Sequence, residues 1–218
     1  MSLADLEPAL TAGCHALGIS LSASQAHGQI ALLAELVEWN GRFNLTSITE
    51  PEEMLRKHLL DSLSVLPHLR GSRVADVGTG AGFPGLPLAI CAPERQFTLI
   101  DSTTKKCRFV EHAAAALELD NVTVVNMRAE AWRPPVAFDT VLARALSSVA
   151  DFIGYAGHLC AAGGRMLAMK GRAPHAELEA LPRGWRIVAV HRLEIPGLDA
   201  ERHLVEIARV ASTDGGAA

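Results

Sequence analysis

The chain has 218 residues, about half of them hydrophobic, and a formal net charge of −4. This is enough for one well-packed core, so we expect one main domain with a small extension. The N-terminus carries Asp5 and Glu7 without a basic segment before an apolar run, and no stretch is long enough to span a bilayer. These features argue against secretion and membrane insertion, and we expect a cytoplasmic protein.

The distribution of charge and of cysteines bears on two further functions, nucleic-acid binding and metal binding. Residues 1–60 contain three basic and seven acidic side chains, whereas residues 101–190 contain eleven basic and nine acidic ones. No basic tail is present, so a nucleic-acid partner would have to be recognised by a shaped site. The four cysteines are far apart and form no C-x-x-C pair, which predicts reduced core thiols and no metal site.

The first part of the chain is predicted to be helical. Residues 3–17 and 23–39 have helical apolar spacing; Ser22 and Gln25 stand in capping-box spacing, and a stop is expected at Asn40-Gly41. A third helix is predicted from Thr49, with Glu52 in capping-box spacing and Pro51 in its first turn. Its inward positions are leucines, namely Leu55, Leu59, Leu63 and Leu66. His58, Asp61 and Ser62 lie on or beside this stripe, where packing is the alternative to a functional role.

The stretch from Arg73 to Ile90 organises the rest of the chain. A short apolar run ending at Asp76 predicts a buried strand, and Pro87 is expected to open a helix. The residues between them follow the pattern Asp76-x-Gly78-x-Gly80-x-Gly82. Glycines allow a backbone to approach a ligand closely, so the pattern favours a cofactor loop over an ordinary tight turn.

The spacing of this loop points to the ligand. A dinucleotide-binding loop has G-x-G-x-x-G, but Phe83 occupies the place of the third glycine. Asp76 would repel a pyrophosphate, whereas it suits a ligand with an ammonium group and a sulfonium, such as S-adenosylmethionine. Phe83 places a ring near this pocket, with plain packing as the alternative.

Strand and helix patterns alternate from Arg73 onward, which predicts a parallel sheet covered on both faces. The second strand, residues 96–100, ends at Asp101, 23 residues after Gly78, close to the spacing at which such folds place a carboxylate on ribose hydroxyls. Capping of the helix over residues 103–119 is the alternative for Asp101. Lys105, Lys106 and Arg108 open that helix, either as a solvated face or as contacts to RNA phosphate.

Later strands place further side chains at the same edge of the sheet. Residues 121–127 form the third strand and lead into Arg128, Ala129 and Glu130, where such folds bind adenine. Arg144 ends the fourth strand, with a plain surface cation as the alternative. A helix over 148–160, a turn at Gly163-Gly164 and a fifth strand over 165–169 lead to Lys170 and Arg172. A short helix over 174–181, a hairpin of residues 185–193 and 203–210, and a polar tail follow.

Several of these segments together closely resemble the bacterial 16S ribosomal RNA guanine-N7 methyltransferase family, also called glucose-inhibited division protein B. Similarity extends from about Leu32 to about Val210. The segments that carry the resemblance are Asn44-Leu-Thr-Ser-Ile48, Lys57-His58-Leu-Leu-Asp61-Ser62, Asp76-Val-Gly-Thr-Gly-Ala-Gly-Phe-Pro-Gly85, Ile100-Asp101-Ser102 with Lys105-Lys106, and Arg128-Ala-Glu130.

The resemblance implies a Rossmann-like class I S-adenosylmethionine methyltransferase, with a mostly parallel seven-stranded sheet, a C-terminal antiparallel hairpin and an N-terminal helical extension. We expect the extension at 1–66, the catalytic domain at 67–211 and a flexible tail at 212–218. The implied reaction is methylation of one guanine of 16S ribosomal RNA. We expect the substrate to be the small subunit or its assembly intermediate, and the protein to act as a monomer.

The predicted site residues follow from the patterns and the resemblance together. The cofactor-binding set is Asp76, Gly78, Gly80, Gly82, Phe83, Asp101, Ala129, Glu130 and Arg144. Arg144 and Lys170 are expected to position the substrate without a general base, because guanine N7 carries a free lone pair. Further substrate contacts are expected from Asn44, His58, Lys105, Lys106, Arg128 and Arg172, and no metal is expected.

Other functions remain open from sequence alone. One alternative is an S-adenosylmethionine methyltransferase of a small molecule or a protein, and another is a non-catalytic cofactor-binding protein. A nicotinamide-dependent dehydrogenase is a weaker alternative, since the displaced glycine and Asp76 oppose it and no Tyr-x-x-x-Lys arrangement supplies acid and base.

Overall fold

A computed structural model of the protein describes residues 3–145, 147–172 and 181–210. Its strands form one seven-stranded sheet. They are β1 (Arg73–Val77), β2 (Gln96–Asp101), β3 (Val122–Asn126), β4 (Phe138–Arg144), β5 (Cys160–Lys170), β6 (Trp185–Arg192) and β7 (His203–Arg209). The spatial order is β3-β2-β1-β4-β5-β7-β6.

The pairing of these strands confirms the predicted fold class. The five strands β1 to β5 pair in parallel, whereas β7 pairs antiparallel with both β5 and β6. The second strand of the hairpin therefore contacts the parallel sheet, and β6 lies at the edge. Because parallel strands share a direction, the carboxyl ends of β1, β2, β4 and β5 meet at one edge of the sheet, where such folds bind ligands.

Helices precede the sheet and cover it. Within the described ranges, the α-helices are α1 (Glu7–Ala16), α2 (Ala23–Phe43), α3 (Pro51–Met54), α4 (Asp61–Leu63), α5 (Gly85–Cys91), α6 (Thr104–Ala116) and α7 (Val149–Ala156). The segment Leu55–Leu60, between α3 and α4, is π-helical. Short 3₁₀ turns occur at Leu3–Leu6, Leu66–His68, Ala129–Ala131 and Gly157–Leu159.

Both faces of the sheet bury apolar side chains, as predicted. On β5, Leu167 belongs to a core cluster shared with the N-terminal helices and α5, whereas Met166 and Ala168 belong to a second cluster around α7. This division follows from the two-residue period of a strand. Leu55, Leu59 and Leu63 are buried as predicted, and Leu66 is only partly buried.

The end of α2 differs from the prediction. The capping box of Ser22 and Gln25 is present, but the helix runs past Asn40-Gly41 to Phe43, and Asn44 ends it at φ +48°. The Asn40 side chain does not break the helix. Its Oδ1 accepts hydrogen bonds from the backbone N–H groups of Leu45 (2.6 Å) and Thr46 (2.8 Å), so it fixes the following loop.

The helix starts predicted at Thr49 and Pro87 are also wrong. Glu50 precedes α3 without a side-chain cap, so the capping box of Thr49 and Glu52 does not form. Helix α5 begins at Gly85, because the Gly85 N–H is bonded to a buried carboxylate and the chain is already turned there.

The expectations around β5 also need correction. The helix predicted over 148–160 ends at Ala156, and a 3₁₀ turn leads into the strand at Cys160. The Gly163-Gly164 pair lies inside β5 and is not a turn. A Cβ on Gly164 would lie 2.9 Å from the carbonyl oxygens of Phe138 and Asp139, so only glycine permits this close strand pairing. The predicted helix over 174–181 lies almost wholly outside the described residues, as does the predicted flexible tail.

Candidate active site

The turn after β1 has the open backbone that a ligand loop requires. Gly78, Gly80 and Gly82 all have positive φ, at +71°, +63° and +84°, a region that L side chains rarely adopt. A Cβ on Gly78 would meet nothing within 4 Å, and one on Gly80 would come no closer than 4.0 Å to the Gly78 carbonyl or Lys106 Nζ. The backbone of Gly78 and Gly80 therefore borders open space that a side chain would otherwise fill.

Gly82 and Gly85 serve packing instead. A Cβ on Gly82 would overlap the Leu86 side chain, and one on Gly85 would overlap that of Leu99 and lie 2.8 Å from Asp76 Oδ2. Both glycines let α5 pack against the start of the sheet. Gly82, expected among the cofactor contacts, thus has a structural function in the loop itself.

Asp76 lies completely buried beneath this loop. Its Oδ2 accepts hydrogen bonds from Thr79 Oγ1 (2.6 Å) and the Gly85 N–H (2.9 Å), whereas Oδ1 has no partner among the described residues. Burial raises the pKa of Asp76 to about 6, although both hydrogen bonds and Arg144 oppose the shift. The carboxylate holds the turn closed, and its raised pKa makes it easier to protonate than an exposed aspartate.

Asp101, at the end of β2, fixes the same turn from the other side. Its Oδ2 accepts from the Gly80 N–H (3.0 Å) and its Oδ1 from the Thr103 N–H (2.8 Å). Thr103 precedes α6 without a side-chain cap, so Asp101 supports the entry of that helix while it also faces the loop. Each carboxylate oxygen retains a lone pair for a further donor.

Beside the loop lies a cavity of about 290 Å³, which we call the loop cavity. Its walls combine apolar side chains, an open glycine and charged groups, namely Val77, Gly78, Ile100, Asp101, Ala129, Glu130 and Tyr155. Ala129 is buried and Glu130 is exposed. Apolar walls suit a flat base, and an acid at the rim suits ribose hydroxyls, so the residues present fit an adenosyl group.

A second cavity, of about 460 Å³, lies at the ends of β4 and β5, and we call it the basic cavity. Four cationic side chains line it together with one acid, Asp61; they are Lys57, Arg144, Lys170 and Arg202. Lys170 Nζ donates to the Ser147 carbonyl at 3.2 Å. The structure thus brings Arg144 and Lys170 together in a setting suited to an anion or to acceptor atoms of a base.

Asp61 connects three separate segments in this cavity. It is almost fully buried, and it accepts from Arg144 Nη1 (3.3 Å) and Arg202 Nε (2.9 Å). Arg144 Nη1 also donates to the Lys57 carbonyl at 2.9 Å. The N-terminal extension therefore orients one arginine from β4 and one from the segment before β7.

His58 lies between the end of the glycine loop and the basic cavity. Its ring stacks on Phe83 with centroids 4.6 Å apart, and the Arg144 guanidinium lies 5.9 Å from the Phe83 ring centre. His58 Nε2 is 3.1 Å from Thr46 Oγ1. Burial, with Arg144 and Lys57 nearby, lowers the pKa of His58 to about 3, so the imidazole is neutral at ordinary pH.

The other predicted substrate residues are dispersed. Asn44 is exposed at the end of α2, and Lys105 Nζ donates to the Phe43 carbonyl at 3.0 Å. Lys106 lies near the glycine loop, and Arg128 lines the loop cavity, 3.8 Å from Glu130. Arg172 is exposed just beyond Lys170.

Sequence reasoning missed the contributions of Arg202, Thr46 and Tyr155, and for Asp61 it left a packing role and a functional role both open. Asp61 belongs to one of the segments that carry the family resemblance, so the sequence indicated this residue without separating a functional role from packing. Arg202 lies 141 residues from Asp61 and has no local pattern around it that would single it out. Only the pairing of β7 with β5 brings it to the site.

The described residues contain neither a cluster of metal ligands nor a membrane-spanning helix. In residues 3–145, 147–172 and 181–210, no cluster of His, Cys, Asp and Glu could hold a metal ion. None of the helices in these ranges has the length and apolar character to cross a membrane.

Comparisons with known proteins identify related sequences. The family model described as rRNA small subunit methyltransferase G matches residues 26–205. A protein of Xanthomonas axonopodis pv. citri named ribosomal RNA small subunit methyltransferase G is 48% identical over 203 residues, which cover 93% of this chain and 95% of that one. The protein of the same name from Nitrosococcus oceani is 47% identical over 201 residues, covering 92% and 94%.

Solved structures support the fold. A crystal structure of an S-adenosylmethionine-dependent methyltransferase from Aquifex aeolicus is similar, with a TM-score of 0.54 and 20% sequence identity. The match covers 74% of this chain and 94% of that one. At this identity the similarity concerns architecture, and it agrees with the Rossmann-like sheet described above.

Proposed function

This chain belongs to the family described as rRNA small subunit methyltransferase G, and from that premise we propose that it transfers the methyl group of S-adenosylmethionine to N7 of one guanine in 16S ribosomal RNA. The observation that carries the proposal is the position of Phe83. This residue follows the glycine loop directly in sequence, and its ring contacts His58 and Arg144 of the basic cavity. A methyl donor held by the loop would thus lie beside the site for an electron-rich acceptor.

The chemistry demands alignment and not proton removal. When bound, S-adenosylmethionine supplies an electrophilic methyl group on a sulfonium, and guanine N7 has a lone pair without a hydrogen. The chain must align nitrogen, carbon and sulfur and exclude water. The side chains of the basic cavity fit this demand, because neither acid nor imidazole is placed as a free base. Asp61 forms ion pairs with two arginines, and His58 is stacked and hydrogen-bonded to Thr46.

Cofactor binding is assigned to the rim of the loop cavity. Gly78 and Gly80 supply an open backbone, Asp101 accepts from ribose hydroxyls, and Ala129 with Glu130 contacts the adenine. Asp76 supplies negative charge beneath the loop. Gly82 and Phe83 act by shaping that loop and its contact with the basic cavity, where Arg144 faces both ligands.

RNA binding is assigned to the cations around the basic cavity. Arg144 and Lys170 hold the target nucleotide, and Lys106, Arg128 and Arg172 contact phosphate groups near it. Lys105 contributes charge while its amine stays on the Phe43 carbonyl, and Asn44 sets the direction of the loop that leads to Thr46. We place the protein in the cytoplasm as a monomer acting on the small ribosomal subunit or its assembly intermediate.

Methyl transfer to purified particles tests this function. Small subunits from a strain without the modification are incubated with the protein and tritiated S-adenosylmethionine, and the product is cleaved at 7-methylguanine and mapped by primer extension. We expect one labelled guanine in 16S RNA. An Asp101→Ala variant, which removes the proposed ribose acceptor, is expected to lose transfer. Labelling of another nucleotide, of protein or of nothing would contradict the proposal.

A further inference from the structure

His58 lines the basic cavity and has one ring nitrogen without a hydrogen-bond partner among the described residues. The residue is 95% buried, with 5% of its surface exposed, and it lines the cavity with Arg144 and Lys170. Its Nδ1 is buried without a hydrogen-bond partner among the described residues. Because buried polar atoms are normally paired, an unpaired one on a residue that lines a cavity suggests a partner supplied by a ligand.

The neighbours of His58 favour one position for the proton of its neutral ring. Thr46 Oγ1 accepts from the Ile48 N–H at 3.1 Å and lies 3.1 Å from His58 Nε2, its other partner among the described residues. In the arrangement that uses this hydroxyl both as an acceptor and as a donor, its proton goes to Nε2. A hydroxyl that donates to Nε2 requires that nitrogen to be unprotonated. A neutral imidazole then carries its hydrogen on Nδ1, which makes the unpaired atom a donor.

The ring is kept neutral and fixed in place. Stacking on Phe83 fixes the plane of the imidazole, and the bond to Thr46 fixes its rotation. Nearby Arg144 and Lys57 disfavour a second proton on the ring. A neutral, immobile N–H next to guanidinium groups is suited to an uncharged acceptor atom, whereas the arginines are suited to phosphate.

We propose that His58 Nδ1–H donates a hydrogen bond to O6 of the target guanine and is the residue that selects guanine over adenine. This inference rests on the proposed function. On the edge that carries N7, guanine presents O6 as an acceptor, whereas adenine presents an amino group at that place. A donor on N7 itself would block methyl transfer, so O6 is the acceptor that a donor can use. Arg144 and Lys170 then hold the phosphate.

A double-mutant cycle, in which one change is made in the target base and the other in His58, tests the contact between His58 and O6. Small subunits are reconstituted with the target guanine or with 2-aminopurine, which lacks O6 and keeps N7, and transfer rates are measured for the wild type and for His58→Phe, which keeps a ring on Phe83. We expect removal of O6 to slow the wild type about 10- to 100-fold. His58→Phe is expected to be slow on guanine by a similar factor and to show no further loss on 2-aminopurine.

The outcomes separate this inference from the function on which it rests. If the two losses multiply, His58 does not contact O6, although transfer to guanine by the wild type still supports the function. If the wild type does not label guanine, the function itself is wrong.

Two further measurements test the proposal even if the His58→Phe variant does not fold. His58→Asn places an amide nitrogen near the position of Nδ1 and is expected to recover part of the rate on guanine only; equal rates for Asn and Phe variants would contradict the proposal. Nitrogen-15 NMR of the wild type is expected to show the proton of His58 on Nδ1, and a proton on Nε2 would overturn the assignment.

Discussion

Two carboxylates at the candidate site are buried, and they differ in how their charge is balanced. Asp61 pairs with the guanidinium groups of Arg144 and Arg202. Asp76 has hydrogen bonds from a hydroxyl and a backbone N–H, and one of its oxygens has no partner among the described residues. At the scale of single residues, Asp61 therefore organises cations, and Asp76 remains available to balance a bound cation.

Cofactor affinity is predicted to weaken at acidic pH because of Asp76. Burial raises the pKa of this carboxyl to about 6 in the free protein, Arg144 lowers it and Asp101 raises it. A cationic ligand favours the ionised form, so its binding lowers this pKa. Affinity is therefore full at about pH 7 and above, and it falls as pH decreases through 6, by about tenfold at pH 5. Calorimetry between about pH 7.5 and about pH 5 measures this.

The matched variant for this prediction is Asp76→Asn, which cannot ionise. Its affinity is expected to be lower at neutral pH and to vary little over the same pH range. A wild-type dissociation constant that does not change between these pH values would show that Asp76 does not respond to the ligand.

Replacement of Asp61 is predicted to destabilise the protein. Asp61→Asn leaves two guanidinium groups without their shared counter-charge, and both are three-quarters buried. We expect a loss of about 1–3 kcal/mol in the free energy of unfolding. The exposed pair of Arg42 and Glu38 is the control, and Glu38→Gln is expected to cost less than about 0.5 kcal/mol. Urea titration of both variants decides, and equal changes would refute the buried bridge.

At the scale of elements, the helical segment from Pro51 to Leu63 shows how local geometry serves the site. It changes from α to π at Leu55–Leu60 and back to α at Asp61. The π turn contains His58, and Asp61 follows it directly. Such wide turns are frequent at functional sites, and here one shifts the register with which polar side chains meet the sheet edge.

The packing of α5 leads to a prediction about Gly85. Gly85→Ala would place a methyl group against Leu99 and 2.8 Å from Asp76 Oδ2, and we expect a loss of about 1–3 kcal/mol in unfolding free energy. Gly154 in α7 is a matched control, because it is exposed and a Cβ there meets nothing within 4 Å. Gly154→Ala is expected to stabilise by about 0.5–1 kcal/mol. Urea denaturation that gives the same sign for both would contradict the packing argument.

At the scale of the whole molecule, the N-terminal extension shares a hydrophobic core with the sheet. One cluster contains Leu10 and Leu33 of the extension together with Leu86, Leu99 and Phe109. The extension also lines the basic cavity through Lys57, His58 and Asp61. Its helices are therefore part of the structure that carries the site.

We predict that the extension and the sheet unfold together. Trp39 lies in α2 and Trp185 in β6, so variants that keep one tryptophan report on each part. A shared core predicts coincident urea transitions in fluorescence. Two separate midpoints would show that the boundary expected near residue 66 divides independent units. The intact chain, followed by circular dichroism, provides the reference midpoint.

Much of the fold was predictable because its signals are local. The alternation of strands and helices, the glycine loop and Asp101 were identified from patterns within about 20 residues. The errors arose where one residue type fits two different local structures and the sequence pattern does not distinguish them. Asn40 caps a loop instead of ending a helix, and Gly164 permits close strand pairing instead of a turn.

The sequence alone determined the order of elements, the glycine loop and the carboxyl edge of the sheet, because hydrophobic period and glycine spacing act over short distances. The tertiary structure decided which side chains meet at that edge. Asp61, Arg144 and Arg202 come together since β7 inserts beside β5 and the extension packs across both. Contacts between residues so far apart in the sequence depend on strand order and on burial of the whole core, so a short sequence pattern does not predict them.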